Sequence, residues 1–363
     1  MPYPEDYASM IDLVSQKLQD TGNAVWTDAE LLLYMTEELR EVSQYSPHIY
    51  MVEYTLETRR GTATSGTTTN TLDDDVNDQF VSGNAPYGDV GKIVFNTTDR
   101  TWAYITAVTD ADTVVLSNDI MVSGEGYRIF HKNCNHQKEI YIGEMPDWLW
   151  IDRIEFPAME DPPNYVKWID RGRNVIRLDI DDEPDDTKNS DAKDQVWIFF
   201  AMRHKLSQLL KTDYVSDTPA TTTAVGATTI HIDAATTAET IERGQEFTIA
   251  DERARAIYIC TVNVTMSSNE GDLKFWPPLE SSVADGAAIT FVSSTLTPKL
   301  EGIYADLVAG KAAMNKARAY ITTIGPGPNR YRNMYEWGKL KYEDAKRELE
   351  GLRGYSAPSV CLP

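Results

Sequence analysis

The sequence predicts an α+β fold, a helical bundle built from the N- and C-terminal segments with antiparallel β modules of small barrel or sandwich type inserted between them. Three observations predict it. Apolar residues recur at helical spacing near both ends of the chain. Between those ends the texture alternates with period two and is broken by turn residues. Within that β region, five consecutive short elements recur in the same order.

Tyr7, Met10 or Ile11, Val14 and Leu18 mark one face of a first helix, which Thr21-Gly22 ends. The next segment, "NAVWTDAELLLYMTEELREVSQYSPHIY", carries a complete start signal. Thr27 is the N-cap and Glu30 stands at the third helical position, which makes a capping box. Trp26 and Leu31 are spaced as a hydrophobic staple, and Asp28 and Glu30 suit the positive end of the helix dipole. Leu31, Met35, Leu39 and Val42 form one apolar face, with Glu37, Glu38, Arg40 and Glu41 mostly off it. Ser46-Pro47 is the stop, because a residue before proline avoids the helical region.

After Pro47 come short strands in "MVEYTLETRR", "GKIVFNTTD", "TWAYITAV", "TVVLSNDI" and "GYRIF", and then a second β block with "KEIYIG", "WLWIDRIEF", "YVKWID", "NVIRLDI" and "DQVWIFFAMRH". "KLSQLL" closes that block as a short helix or turn. Residues 218–292 then echo residues 62–130. "SGTTTNTL" is answered by "VGATTIHI", "GKIVFNTTDR" by "GQEFTIADER" and "AYITAV" by "IYICTV". "VVLSNDI" is answered by "LKFWPPL" and "SGEGYRIF" by "ADGAAITFV". The pattern is that of a duplicated β module of about 65–75 residues, against the alternative of two β segments that merely share composition.

Thr297-Pro298 starts a helix with proline at the first helical position. Leu300, Ile303, Leu307, Met314 and Ile321 mark its face, "GPGP" breaks it, and Tyr331, Tyr335, Tyr342, Ala345, Leu349 and Leu352 mark another. "RGYSAPSVCLP" has no period and reads as an extended tail. Four amphipathic helices need partners for their apolar stripes. One bundle closed by both ends of the chain is the economical solution; two hairpins, each docked on its nearest β block, is the alternative. The expected organisation is a helical hairpin at 1–50, β module 1 at 51–131, a central β domain at 132–212, β module 2 at 213–295, C-terminal helices at 296–353 and the tail at 354–363.

At 363 residues, 42% hydrophobic and 25% charged, the chain has the composition of a folded protein of two or three domains. No apolar run is long enough to cross a bilayer, and "MPYPEDYASM" lacks the basic and apolar regions of a signal peptide, so neither membrane insertion nor export by the usual route is expected. Three widely spaced cysteines, Cys134, Cys260 and Cys361, imply no disulfide framework. A formal charge of −22 argues against direct nucleic-acid binding, which needs Lys and Arg to neutralise phosphates.

Sites of chemistry are few. His131, Cys134 and His136 in "HKNCNHQ" are zinc-type ligands without a second pair at finger-like spacing, and a polar linker is the better reading. Asp73–Asp75 and "DIDDEPDD" do not follow the EF-hand pattern and read as solvated loops. There is no GxSxG elbow, Cys/His signature, specific carboxylate pair or phosphate-binding glycine loop; "GPGPNRYR" reads as a helix connector. No catalytic residue, metal or cofactor is expected. In "PDWLWIDRIEF", Trp148 and Trp150 alternate with Leu149 and Ile151, which suits a strand covered on both faces or an interface better than a sugar-stacking platform.

The stretch "IDLVSQKLQDTGNAVWTDAELLLYMTEELREVSQYSP" resembles the opening of tailed-phage head–tail connector (adaptor) proteins, with a W-[ST]-D-x-E-L turn into a second helix. "LVAGKAAMNKARAYI" and "YRNMYEWGKLKYEDAKREL" resemble that family's closing helices, and the β insertions lie outside its minimal pattern. The resemblance implies a non-enzymatic virion neck protein, assembled in the host cytoplasm. It would form a homo-oligomeric ring, typically of about twelve copies, under the portal protein. Such a ring extends the channel through which double-stranded DNA passes without specific binding, and it offers a platform to the next tail or neck component. On this reading Trp26, Thr27, Glu30, Leu31, Met35, Leu39, Val42, Leu307, Met314, Tyr335 and Leu349 serve bundle and ring packing. Tyr355, Pro358, Val360 and Leu362 belong to a portal-docking tail. The alternative is a β-rich adhesin or glycan-binding protein, with a polysaccharide hydrolase behind it.

Overall fold

The structure is a computed structural model that describes residues 7–22, 24–85, 88–181, 194–206, 213–215, 223–232, 240–250, 257–267, 270–324 and 330–352. The fold is α+β, with four helices and antiparallel sheets among the described residues. In chain order, α1 (Tyr7–Lys17) and α2 (Asp28–Tyr45) lead into β1 (His48–Thr55). The first β module holds β2 (Arg60–Thr62), β3 (Thr71–Asp73), β4 (Ile93–Asn96), β5 (Trp102–Val108), β6 (Thr113–Leu116) and β7 (Gly126–Phe130). The middle block holds β8 (Glu139–Tyr141), β9 (Trp148–Glu155), β10 (Lys167–Gly172), β11 (Val175–Asp179) and β12 (Gln195–Met202). The last β segment holds β13 (Asp213–Val215), β14 (Thr229–Ile232), β15 (Thr240–Ile241), β16 (Glu246–Ile249), β17 (Tyr258–Cys260), β18 (Val264–Thr265), β19 (Gly271–Trp276) and β20 (Ala288–Phe291). Then α3 (Pro298–Ile324) and α4 (Arg330–Leu352) follow.

The chain divides into two compact units. One is drawn from Met1–Ile49, Ala201–Thr212 and Phe291–Pro358, and the other from Tyr50–Phe200 and Asp213–Thr290. In the helical unit, all four helices contribute to one core, which includes Met10, Val14, Leu31, Met35, Val42, Leu300, Tyr304, Leu307, Ala345 and Leu349. Of Met10 and Ile11, Met10 is the fully buried one, together with Val14, while Ile11 is half-buried. Glu38, expected off the apolar face of α2, lies on its buried side, three residues after Met35.

In the β unit the two six-stranded sheets have one strand order. The first runs β2-β7-β4-β5-β6-β3 and the second β13-β20-β16-β17-β19-β14. Counted from the start of each segment and leaving β15 and β18 aside, both read first, sixth, third, fourth, fifth, second. Equivalence extends to the turns. Gly91 and Gly244, each just before the third strand, have φ of 94° and 82°. Both N–H groups donate to the next strand, to the carbonyls of Ile105 and Cys260. Gly124 and Gly286, before the last strand, have φ of 90° and 79°, which side-chain-bearing residues rarely adopt. The first sheet curls on itself, since the Thr64 N–H beyond β2 donates to the Asp73 carbonyl of β3 at the far edge. Its interior is filled by Leu72, Val94, Ile105, Val114, Tyr127 and Ile129.

The middle block forms two three-stranded sheets, β1-β12-β9 and β10-β11-β8. The tight β10–β11 turn has positive φ at both Arg173 (55°) and Asn174 (60°), as a primed hairpin turn requires. Trp148 packs against Phe200, but Trp150 stays 38% exposed, so β9 is not covered on both faces there.

Candidate functional site

In the helical unit, α3 is buried along most of its circumference, and its small residues Ala305, Ala309, Ala312 and Ala313 let neighbours approach closely. Gly310 meets Gly338 of α4 so tightly that a Cβ on Gly310 would lie 2.8 Å from the Gly338 carbonyl oxygen. Polar groups fix the register of α2 on α3. The Trp26 indole N–H donates to the Ala312 carbonyl (3.3 Å) and the Tyr304 hydroxyl to the Met35 carbonyl (2.8 Å). Lys311 pairs with Glu38 at 2.6 Å, Lys316 with Glu30 at 3.1 Å, and Lys17 of α1 with Asp306 at 2.7 Å. Lys346 of α4 reaches Glu41 at 2.6 Å, and the Tyr342 hydroxyl donates to the same carboxylate. Glu38 is only 1% exposed; desolvation raises its pKa, and the Lys311 contact opposes that shift.

The capping box on α2 is present, with the Glu30 N–H donating to Thr27 Oγ1. Asp20 adds an anchor that periodicity does not signal: its carboxylate accepts the N–H groups of Ala24, Val25 and Trp26, and the Trp26 bond leads the causes that lower its pKa. Trp26, Leu31, Met35, Val42, Leu307 and Leu349 lie in the shared core, with Leu39 half-buried against it. Met314 and Tyr335 are half-buried, and the Arg318 guanidinium sits 5.4 Å from the Tyr335 ring centre. The apolar residues singled out by periodicity therefore pack mainly within this chain, with Thr27 and Glu30 at its surface. Tyr355, Pro358, Val360 and Leu362 lie outside the described residues, as do "GPGP" and most of "DIDDEPDD".

In the β unit, "HKNCNHQ" is dispersed rather than a cluster. His131 is buried against the Thr55 carbonyl, Cys134 is buried, and His136 Nδ1 accepts the Lys138 N–H. Burial, with Lys92 nearby, pushes His131 down to about 4, and burial raises the Cys134 thiol, with Glu139 adding to the shift. Asp73 ends β3 and Asp74 is fully buried rather than part of a solvated loop; the two are tied into hydrogen bonds with Thr64, Thr67, Asn77 and Tyr127. No group of three or more His, Cys, Asp or Glu side chains among the described residues is arranged to hold a metal.

Two clefts open on the β unit. One, of about 430 Å³, is lined by Tyr54, His131, Lys132, Glu144, Lys274 and Trp276, among others. The other, of about 780 Å³, is lined by Trp102 and Tyr104 of β5, Arg171 at the end of β10 and Arg173 of the β10–β11 turn, among others. Trp102 and Tyr104 are 41% and 49% exposed, and Trp102 is steadied by Phe95 and Phe130 at ring-centre distances of 4.3 and 5.7 Å. Neither cleft is signalled by sequence periodicity, because each gathers residues from loops and strands far apart in the chain.

No protein-family model, curated protein or solved structure matches this chain. Among the described residues, no helix is long and apolar enough to cross a membrane.

Proposed function

We propose that the protein is a non-enzymatic structural component of a virion neck: a ring-forming head-to-tail adaptor that docks under the portal, extends the DNA channel and offers a platform for tail assembly. The observation that carries this reading is the shared core of α1, α2, α3 and α4. We read that core as a single bundle closed by both ends of the chain. It leaves residues 51–295 as insertions, with one module duplicated. The capping box and the Trp26 and Tyr304 hydrogen bonds set the helices at one angle, which suits a unit repeated around a ring. A net charge of −22 suits a wall along which DNA slides without binding.

The test is native mass spectrometry and particle imaging of the full chain with the portal protein of the same particle. A closed ring of about twelve copies seated on the portal is expected. A chain that stays monomeric beside the portal and is absent from particles overturns the reading.

The exposed pair Trp102 and Tyr104, beside Arg171 and Arg173, favours a second reading, that of a glycan-binding virion or surface protein. Exposed rings offer flat apolar faces to sugar C–H groups, and arginines reach hydroxyls and acidic substituents. It predicts that the chain binds host-surface polysaccharide and that Trp102→Ala abolishes the binding; a chain without polysaccharide affinity excludes it.

A further inference from the structure

We propose that the cleft of about 780 Å³ beside β5 binds an acidic saccharide, a short run of sugar rings that carry carboxylates. The proposal rests on the glycan-binding reading of this cleft and names the class of glycan. A small core of Ile93, Phe130, Cys134 and Val175 joins the outer side of the first sheet to β11, and the cleft opens on this seam. Its volume is that of a small-ligand site.

Trp102 and Tyr104 alternate along β5 with Ala103 and Ile105, which fill the interior of the sheet. Both rings therefore lie on its outer side, roughly 7 Å apart along the strand. The Phe95 and Phe130 rings, 4.3 and 5.7 Å away, pack with the Trp102 indole, so it is ordered before any ligand arrives. An ordered indole left 41% exposed forgoes apolar burial, and the C–H face of a sugar ring restores it.

The polar groups of the cleft select an acid. Arg173, exposed in the left-handed turn after β10, has no acidic partner among the described residues. Arg171 is steadied by the buried Glu139 carboxylate, which lies 3.5 Å from its Nε and accepts the Asn135 N–H at 3.0 Å. The lining thus holds two guanidiniums against one carboxylate, in a chain of net −22. A planar guanidinium takes a carboxylate through two parallel N–H bonds. The exposed carboxamides of Asn118, Asn133 and Asn135 both donate and accept, as sugar hydroxyls require. A nucleic-acid strand fits less well, because its phosphates need cations at successive positions along a groove.

The test uses the full chain in calorimetry, with trimers of galacturonate, mannuronate and guluronate, the carboxyl-reduced form of each, and an oligothymidylate as probes. At least one uronate trimer is expected to bind saturably, about tenfold or more tightly than its reduced form. Trp102→Ala should weaken acidic and reduced trimers alike, by about tenfold. Arg173→Asn should remove most of the preference for the acid without lowering the melting temperature, because asparagine accepts a left-handed turn. Equal affinity for acidic and reduced trimers, or a preference of wild-type size in Arg173→Asn, overturns the acid class and leaves the glycan reading standing. Wild-type affinity in Trp102→Ala, or failure of every trimer to bind at about 10 mM, overturns the proposal, and the polysaccharide assay then decides the glycan reading separately. Tighter binding of the oligothymidylate than of any trimer overturns it in favour of single-stranded nucleic acid. None of these outcomes depends on ring formation.

Discussion

Arg59 is nearly inaccessible, yet its guanidinium forks between Glu57 (2.8 Å) and Asp89, while Lys92 joins both carboxylates at 2.8 and 3.0 Å. Two buried cations thus balance two buried anions. Burial alone would raise both acids, but Arg59 and Lys92 hold Glu57 well below its usual range and lower Asp89 as well. Removing one member strands a buried charge, so Arg59→Met should destabilise the β unit by about 3–5 kcal/mol in urea unfolding. The pH dependence follows from the direction of each shift. Glu57 and Asp89 contribute stability above their unfolded pKa values of about 4, and lose it only as pH falls through their lower folded values. His131 and His204 titrate earlier. Burial depresses both to about 4 in the fold, so the unfolded chain takes their protons first, from about 6.5 downward. Stability should therefore fall between about pH 6.5 and 4, by up to roughly 3 kcal/mol per histidine. His204, whose ring nitrogens face the Ser46 carbonyl (2.7 Å) and Thr295 Oγ1 (3.1 Å), acts in the helical unit. Urea midpoints that do not change across this window would contradict the assignment.

Among the elements, α2, α3 and α4 share one core. Thr27→Ala removes the acceptor for the Glu30 N–H and should cost about 1 kcal/mol in chemical unfolding. Gly310→Ala puts a methyl where the α4 backbone already stands and should cost about 1–3 kcal/mol by overpacking; if the melting temperature rises instead, the helices are not in contact there. Spacing alone located the apolar side of α2, because helical period and the cap are local properties of the chain. It does not place Glu38, because an apolar spacing is blind to a buried carboxylate and Lys311, the cation that compensates its burial, lies 273 positions away. The strands of the first module were legible as alternating runs. Their common order with the second was foreshadowed by the echo of "GKIVFNTTDR" in "GQEFTIADER" and its neighbours, but pairing order itself appears only in three dimensions.

For the whole molecule, the net charge of −22 bears on the proposed channel. The intact protein should leave double-stranded DNA unshifted in a gel at physiological salt, since phosphate contacts need clustered cations; a salt-sensitive shift would count against a DNA-passing wall. The amino-acid sequence by itself determined the positions of the helices, the β character of the middle, the repeated order of its segments and the acidity, all properties of neighbouring residues or of composition. Only the tertiary structure decided that α1 and α2 share a core with α3 and α4, that Glu57 and Arg59 close on Asp89 and Lys92, and that Tyr54 and Trp276 line one cleft. These depend on contacts between residues far apart in the chain, and no local spacing rule encodes such contacts.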